Sequence, residues 1–147
     1  MANICLTFGT KASHDKLIDA LTTVKGLAAW WTEGTSGEAA KGGEVAFRFG
    51  DNGGFDMRVD ECDENGVLWE VVGGPEEWVG TQIEFKIIQE DKHNQVMFRH
   101  IGWADEGPFF HHCSMKWATF MLSLKDYVEM GSGRPFPNDL KIEATGM

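Results

Sequence analysis

Tyrosine occurs once in this chain, cysteine three times, and basic residues are scarce: 13 Lys and Arg stand against 23 Asp and Glu, for a net charge of −10. No stretch of 18 or more apolar residues is present. Each shortage excludes something. A chain this acidic offers no basic patch for nucleic acid or for an anionic membrane surface. Without a long apolar run or a charged leader before an apolar segment, neither a transmembrane helix nor a signal peptide is expected. Cys5, Cys62 and Cys113 are odd in number and widely spaced, which suits free thiols in a reducing cytosol. The near-absence of tyrosine is set against 10 Phe, 6 Trp and 7 Met. An interior built from those side chains carries few hydroxyls and is adaptable in shape.

Motifs for common chemistries are missing as well. The glycine-rich stretch "GTSGEAAKGGE" has neither the G-x-G-x-x-G nor the G-x-x-x-x-G-K-[ST] spacing that cradles phosphate. No G-x-S-x-G marks a nucleophile elbow. Ser114 follows His111 by three residues, but no orienting carboxylate accompanies them. His111, His112 and Cys113 are consecutive, and consecutive helical residues diverge, so they cannot close on one ion. No metal and no cofactor is expected. One of the two histidines is expected at the rim of any cavity, near the start of the last helix.

What is present is period. "NICLTFG" alternates Ile4, Leu6 and Phe8 against Cys5 and Thr7, the pattern of a strand with one buried face. Ser13 is a good N-cap for a helix over about 13–22, whose stripe is Leu17, Ile18 and Leu21. Gly26 then predicts a break, and a second short helix over about 26–31. Five strand-like runs follow. Their apolar sides are Val45, Phe47 and Phe49; Phe55, Met57 and Val59; Val67, Trp69 and Val71; Ile83, Phe85 and Ile87; and Val96, Phe98 and His100. Turn residues separate them, so the sheet is an antiparallel meander that is wet on one side. On the wet side Asp56, Arg58 and Asp60 are placed to pair with Arg48 or Glu70. "PFFHHCSMKWATFMLSLKDYVEMG" has helical spacing through Phe110, Trp117, Met121, Leu124 and Val128, and Gly131 is a plausible stop. Lys116 falls on its outer face. Residues 131–147 form a tail that wraps the surface or frays.

The class is therefore α+β: a curved antiparallel sheet of about six strands around one long C-terminal helix, with two short helices after the first strand, in a single domain spanning 1–147. Such a sheet needs a cover, and only the long helix can span it. Between them lies filled core or a cavity. Candidate cavity residues are Trp30, Trp31, Phe47, Phe49, Phe55, Met57, Trp69, Ile83, Phe85, Phe98, His100, Phe110, Trp117 and Met121. The adjacent Trp30 and Trp31 point in different directions, and the loop 34–43 beside them is a candidate lid. His100, by its parity, faces inward, where it could orient a ligand or act as a base.

The stretches "DALTTVKGLAAWWTEG", "FDMRVDECDENGVLWEV", "WVGTQIEFKI", "VMFRHIGW" and "WATFMLSLKDYVEMGSGRPFP" together resemble the SRPBCC superfamily. This is the helix-grip fold shared by START lipid-transfer domains, the birch pollen allergen and polyketide cyclases. Within it the chain is most similar to the group related to the activator of the ninety-kilodalton heat-shock chaperone's ATPase. The co-chaperone of that group also carries a large N-terminal domain, to which nothing in these 147 residues corresponds. The resemblance implies an internal cavity for a small apolar molecule, a lipid or an aromatic. Its alternatives are a cyclase- or hydrolase-like enzyme using that cavity and a chaperone-activator-like interaction module. Expected partners are that small molecule and a second copy of the chain in a homodimer, with no nucleic acid and no membrane insertion.

Overall fold

The computed structural model describes residues 1–143; the last four positions of the expected tail, 144–147, lie outside the described residues. Chain order is β1 (Ala2–Thr10), α1 (His14–Thr22), α2 (Val24–Trp30), β2 (Gly34–Gly37), β3 (Glu44–Arg48), β4 (Gly54–Asp63), β5 (Gly66–Gly73), β6 (Gln82–Gln89), β7 (Asn94–Trp103) and α3 (Pro108–Met130). The strands form one antiparallel sheet in the order β1-β7-β6-β5-β4-β3-β2. This is the helix-grip arrangement.

Register puts the apolar parity of β1 and of β3 to β7 on one face. Val45 pairs with Met57, Phe47 with Phe55, Val59 with Trp69, Trp69 with Ile83, and Phe85 with both Val67 and Phe98. All of these residues are buried. A one-residue slip would turn each of them to solvent, so burial itself fixes the register. Irregularities in β4 at Asp56/Met57 and Val59/Glu61 are the positions where the strand bends round the core. On the wet face Arg48 pairs with Asp56 at 2.8 Å, and Arg58 with Asp60 at 2.7 Å and Glu70 at 3.3 Å.

Two boundaries differ from expectation. The sheet has seven strands rather than about six, because residues 34–37 of the expected lid loop form edge strand β2 on β3. "GTSG" has no apolar residue to bury, so no alternation announces it. The remainder of that loop is tied to β4 by Gly42 N–H to the Val59 carbonyl (2.8 Å) and Val59 N–H to the Gly43 carbonyl (2.9 Å). The second helix starts at Val24, not at residue 26, and Gly26 sits inside it. Thr23 caps it, its hydroxyl accepting from the Gly26 N–H at 2.9 Å. Gly26 is a packing residue: a Cβ there would lie 2.5 Å from the Asp19 carbonyl oxygen of α1.

Helix α3 begins with Pro108 in its first turn and stops at Gly131, whose φ of 86° is the left-handed C-terminal geometry. It buries Cys113, Trp117, Phe120, Met121, Leu124 and Val128 against the sheet. The tail turns back over the structure. Phe136 N–H donates to the Trp31 carbonyl (2.8 Å), Glu33 N–H to the Phe136 carbonyl (3.0 Å), and Arg134 N–H to Ser123 Oγ (2.7 Å).

Candidate functional site: an aromatic cavity beneath the C-terminal tail

Between α3, the β3–β4 turn and the tail lies a cavity of about 270 Å³. Its helix wall is His112, Cys113, Lys116, Trp117 and Phe120. Phe49, Asn52 and Phe55 supply the sheet end, Trp31 and Trp78 line it further, and Phe136, Asp139, Lys141, Ile142 and Glu143 form the roof. The walls are mostly aromatic rings in contact. Phe55 stacks on Trp78 at 3.7 Å with 8° between planes, and Trp31 meets Trp117 at 4.8 Å.

The tryptophan pair divides two tasks. Trp30 is wholly buried beneath α1, its indole N–H donating to the Ala20 carbonyl at 2.9 Å, with Phe85 edge-on at 5.8 Å. Trp31 lies over Phe47 at 4.2 Å and faces the cavity. The two indoles do not diverge as expected but stack at 6.0 Å with 12° between planes, Trp30 on the side of the closed core and Trp31 on the side of the open space.

Of the residues expected around a cavity, Trp31, Phe49, Phe55 and Trp117 line this one. Trp30, Phe47, Met57, Trp69, Ile83, Phe85, Phe98, His100 and Met121 are buried but do not, and Phe110, in the first turn of α3, is half-buried against Trp103. The reason is filling: in the β5–β7 half of the interior large rings meet one another, Phe85 reaching Phe98 at 5.1 Å and Trp69 at 5.5 Å.

His100 faces inward and is 0% exposed. Its Nδ1 accepts from the Trp117 indole N–H at 3.1 Å, and its Nε2 lies 2.8 Å from Thr81 Oγ1. The Thr81 hydroxyl donates to the Trp78 carbonyl at 2.5 Å. The consistent tautomer therefore carries the proton on Nε2, donating to Thr81, and each ring nitrogen is satisfied. Burial pushes its pKa down to about 3, so the ring is neutral. This histidine joins sheet to helix as part of the core.

His112 is the opposite case. It is 5% exposed, lies on the cavity wall, and neither ring nitrogen has a hydrogen-bond partner among the described residues. Burial, helped by the Lys116 charge, lowers its pKa and keeps it neutral. The Trp78 indole N–H is directed at the Cys113 thiol. Burial raises the Cys113 thiol to about 12, which leaves it unreactive as a nucleophile.

Lys116 departs from expectation. It is not on an outer face but bonds the buried Asp139 carboxylate and donates to the Leu140 carbonyl at 2.8 Å. Lys141 reaches the same carboxylate at 2.6 Å. Burial alone would raise the Asp139 pKa; the bonds and charges of the two lysines outweigh that and hold it below the usual value. This carboxylate is the pin that fastens the tail to α3. Trp78, Phe136 and Asp139 were missed from sequence because turns and tails have no period, and Phe120 because it sits on α3 beside the stripe read through Trp117, Met121 and Leu124. The available signal was compositional: a Trp inside the polar turn "GGPEEW" and a Phe between two prolines are large apolar groups that rarely stay in water. Among the described residues no three His, Cys, Asp or Glu side chains are grouped so as to hold a metal ion.

Curved sheet, gripped helix and the space between them define a helix-grip domain of the SRPBCC type. Residues 11–129 match the family model for Activator of Hsp90 ATPase homolog 1-like proteins, and the chain belongs to that family. Comparison with curated proteins gives no match. Among solved structures, the Aha1 dimer from Colwellia psychrerythraea is 41% identical, aligned over 90% of this chain and 100% of that one, with a TM-score of 0.83. DynU16, from the dynemicin biosynthetic locus, is 22% identical over 89% of this chain and 48% of its own, at a TM-score of 0.74. CalU16 from Micromonospora echinospora is 16% identical over 88% and 77%, at 0.69. The last two share the fold. No helix among the described residues is long and apolar enough to cross a membrane.

Proposed function

We propose that this protein binds a small aromatic or apolar molecule in the cavity between α3, the β3–β4 turn and the tail. The observation that carries the reading is the aromatic-walled space of about 270 Å³, left open in an interior that is elsewhere tightly filled. A volume of this order suits a one- or two-ring compound, held by stacking and burial with a few polar groups for orientation. The enzyme alternative has less support, since the cavity thiol is not activated and His100 has both nitrogens engaged within the core. The test is thermal unfolding with two-ring aromatics and medium-chain fatty acids. A binder raises Tm with concentration as RT ln(1 + [L]/Kd) and changes tryptophan fluorescence. If no compound in the panel does either, the reading fails.

A second reading, as an interaction module, is favoured by the family and by the dimeric state of the 41% identical structure. On α3, Met115 and Leu122 are each 56% exposed and lie two turns apart on the outward side. That face suits a second copy of the chain or a chaperone surface. Sedimentation of the wild type against Leu122→Lys separates the cases: loss of a dimer supports the second copy, and a monomer in both argues against it.

A further inference from the structure

The two edges of the sheet are built differently. At one edge β2 is short, the four residues "GTSG" with nothing apolar to bury. At the other, β1 runs for nine residues, "ANICLTFGT", and among the described residues it pairs along one side only, with β7. Asn3, Cys5, Thr7 and Gly9 are exposed, and Leu6 and Phe8, which share the parity of the buried Ile4, are left half-buried. A strand edge offers a row of N–H and C=O groups for pairing, and proteins blunt it with charge, proline, bulges or brevity. β1 has no charged residue and no proline, and its one irregularity falls at Ala2/Asn3, so its ladder is regular from Asn3 to Thr10. Beside it on β7, the Arg99 charge is paired with Glu84 at 2.8 Å.

We propose that this edge is where a second copy of the chain docks: β1 pairs antiparallel with β1 of the second copy and joins the two sheets into one. The inference rests on the second-copy reading above and moves that contact from the Met115–Leu122 face of α3 to the sheet edge. An antiparallel pair of identical strands is self-complementary about a two-fold axis, so it closes at a dimer. Both copies must keep their apolar faces on the same side, which requires that residues of equal parity face each other. With the strands fully overlapped the axis passes through Leu6. Leu6 then faces Leu6, Ile4 faces Phe8, and on the wet side Cys5 faces Thr7. The half-buried Leu6 and Phe8 gain apolar cross-strand neighbours, the contacts that stabilise a strand pair. Charge favours the same place. Two copies that each carry −10 repel as wholes, and uncharged strands bring no like charges opposite one another.

Sedimentation of the wild type, of Leu122→Lys and of the double variant Cys5→Glu/Thr7→Glu tests the edge, because the double variant sets glutamates opposite one another across the pair. Wild type and Leu122→Lys are expected to be dimers. The double variant is expected to self-associate about tenfold more weakly or worse, with circular dichroism showing that it is folded. Two measurements do not depend on that variant. Cross-strand neighbours have Cα atoms about 4.5–5.5 Å apart, within disulfide reach. Thr7→Cys, with oxidised glutathione as oxidant, should therefore link to Cys5 of the second copy and give a covalent dimer, which the wild type should not. In the wild type, β1 amides should exchange with deuterium more slowly at high protein concentration than at low. A dimer that Leu122→Lys abolishes and the folded double variant keeps would overturn the edge and leave the second copy on α3. Cross-linking of the wild type equal to that of Thr7→Cys would overturn the pairing through Leu6. A monomeric wild type would remove the edge and the second copy together.

Discussion

The interior has two halves that meet at Trp117. On the β5–β7 side, Trp30, Phe85, Phe98, Leu21 and Leu124 fill the space, and the one polar ring, His100, has a partner at each nitrogen. On the β3–β4 side the rings of Trp31, Phe55, Trp78 and Phe120 stand around an opening, and the polar ring there, His112, has no partner at either nitrogen. The two histidines thus sit in opposite settings, His100 on β7 and His112 on α3. Satisfied, a buried histidine is mortar. His112, by contrast, lays its ring along Phe109 at 6.2 Å.

Trp117 belongs to both halves, and removing it should give the largest effect. Trp117→Ala deletes a buried ring, at about 3–5 kcal/mol, and strips His100 Nδ1 of its donor. Urea melts should show that loss, whereas a loss below about 1 kcal/mol would mean the halves are not joined there.

Acid should next separate the two histidines. The folded pKa of His100 is depressed from 6.5 to about 3. Above pH 6.5 both folded and unfolded forms are neutral and its contribution to stability is complete. As pH falls below 6.5 the unfolded chain takes a proton that the folded one refuses, so stability drops, by on the order of 3 kcal/mol between pH 7 and pH 4. His100→Gln removes the titration, so the variant's own stability–pH curve should flatten over that window, and the gap between the two curves should narrow toward pH 4, if His100 carries the slope. A parallel pair of curves would assign the acid sensitivity elsewhere.

The pin between tail and helix comes third. Lys116→Met leaves the buried Asp139 with Lys141 alone, and a cost of about 1–3 kcal/mol is expected. A residue on an outer face would cost about 0.5 kcal/mol or less, so this substitution measures how far the helix phase read from sequence was off.

That misreading is instructive about what a sequence carries. The filled half was legible because strands and helices repeat: period two placed Met57, Trp69, Ile83, Phe85, Phe98 and His100 inside, and helical spacing placed Trp117, Met121 and Leu124 against them. The open half is made by segments without a period. Trp78 comes from a turn, Phe136 and Asp139 from the tail, and Lys116 sits on the flank of the helical stripe, where only its distant partner draws it inward. Partners 23 residues apart through an irregular tail leave no local pattern. The tryptophan pair falls between the cases: that it sits at a corner was legible, but not that its rings stack on each other, nor that the open one looks toward the tail rather than toward a glycine-rich lid.

The smallest effect decides between those two roofs. Lys41 lies in the segment first read as a lid and pairs with Glu61 at 3.2 Å, both side chains more than half exposed. Such a pair contributes about 0.5 kcal/mol or less, so Lys41→Ala should barely move the melting curve. It should also leave ligand affinity unchanged, because residues 38–43 are bonded down onto β4 and none of them lines the cavity. Phe136→Ala, in the tail, should instead weaken an aromatic ligand about tenfold by removing a ring's worth of apolar contact from the roof. Measured side by side on one ligand, an affinity that follows Phe136 and ignores Lys41 makes the tail the cover of the open half. The reverse result would return that role to the glycine-rich segment.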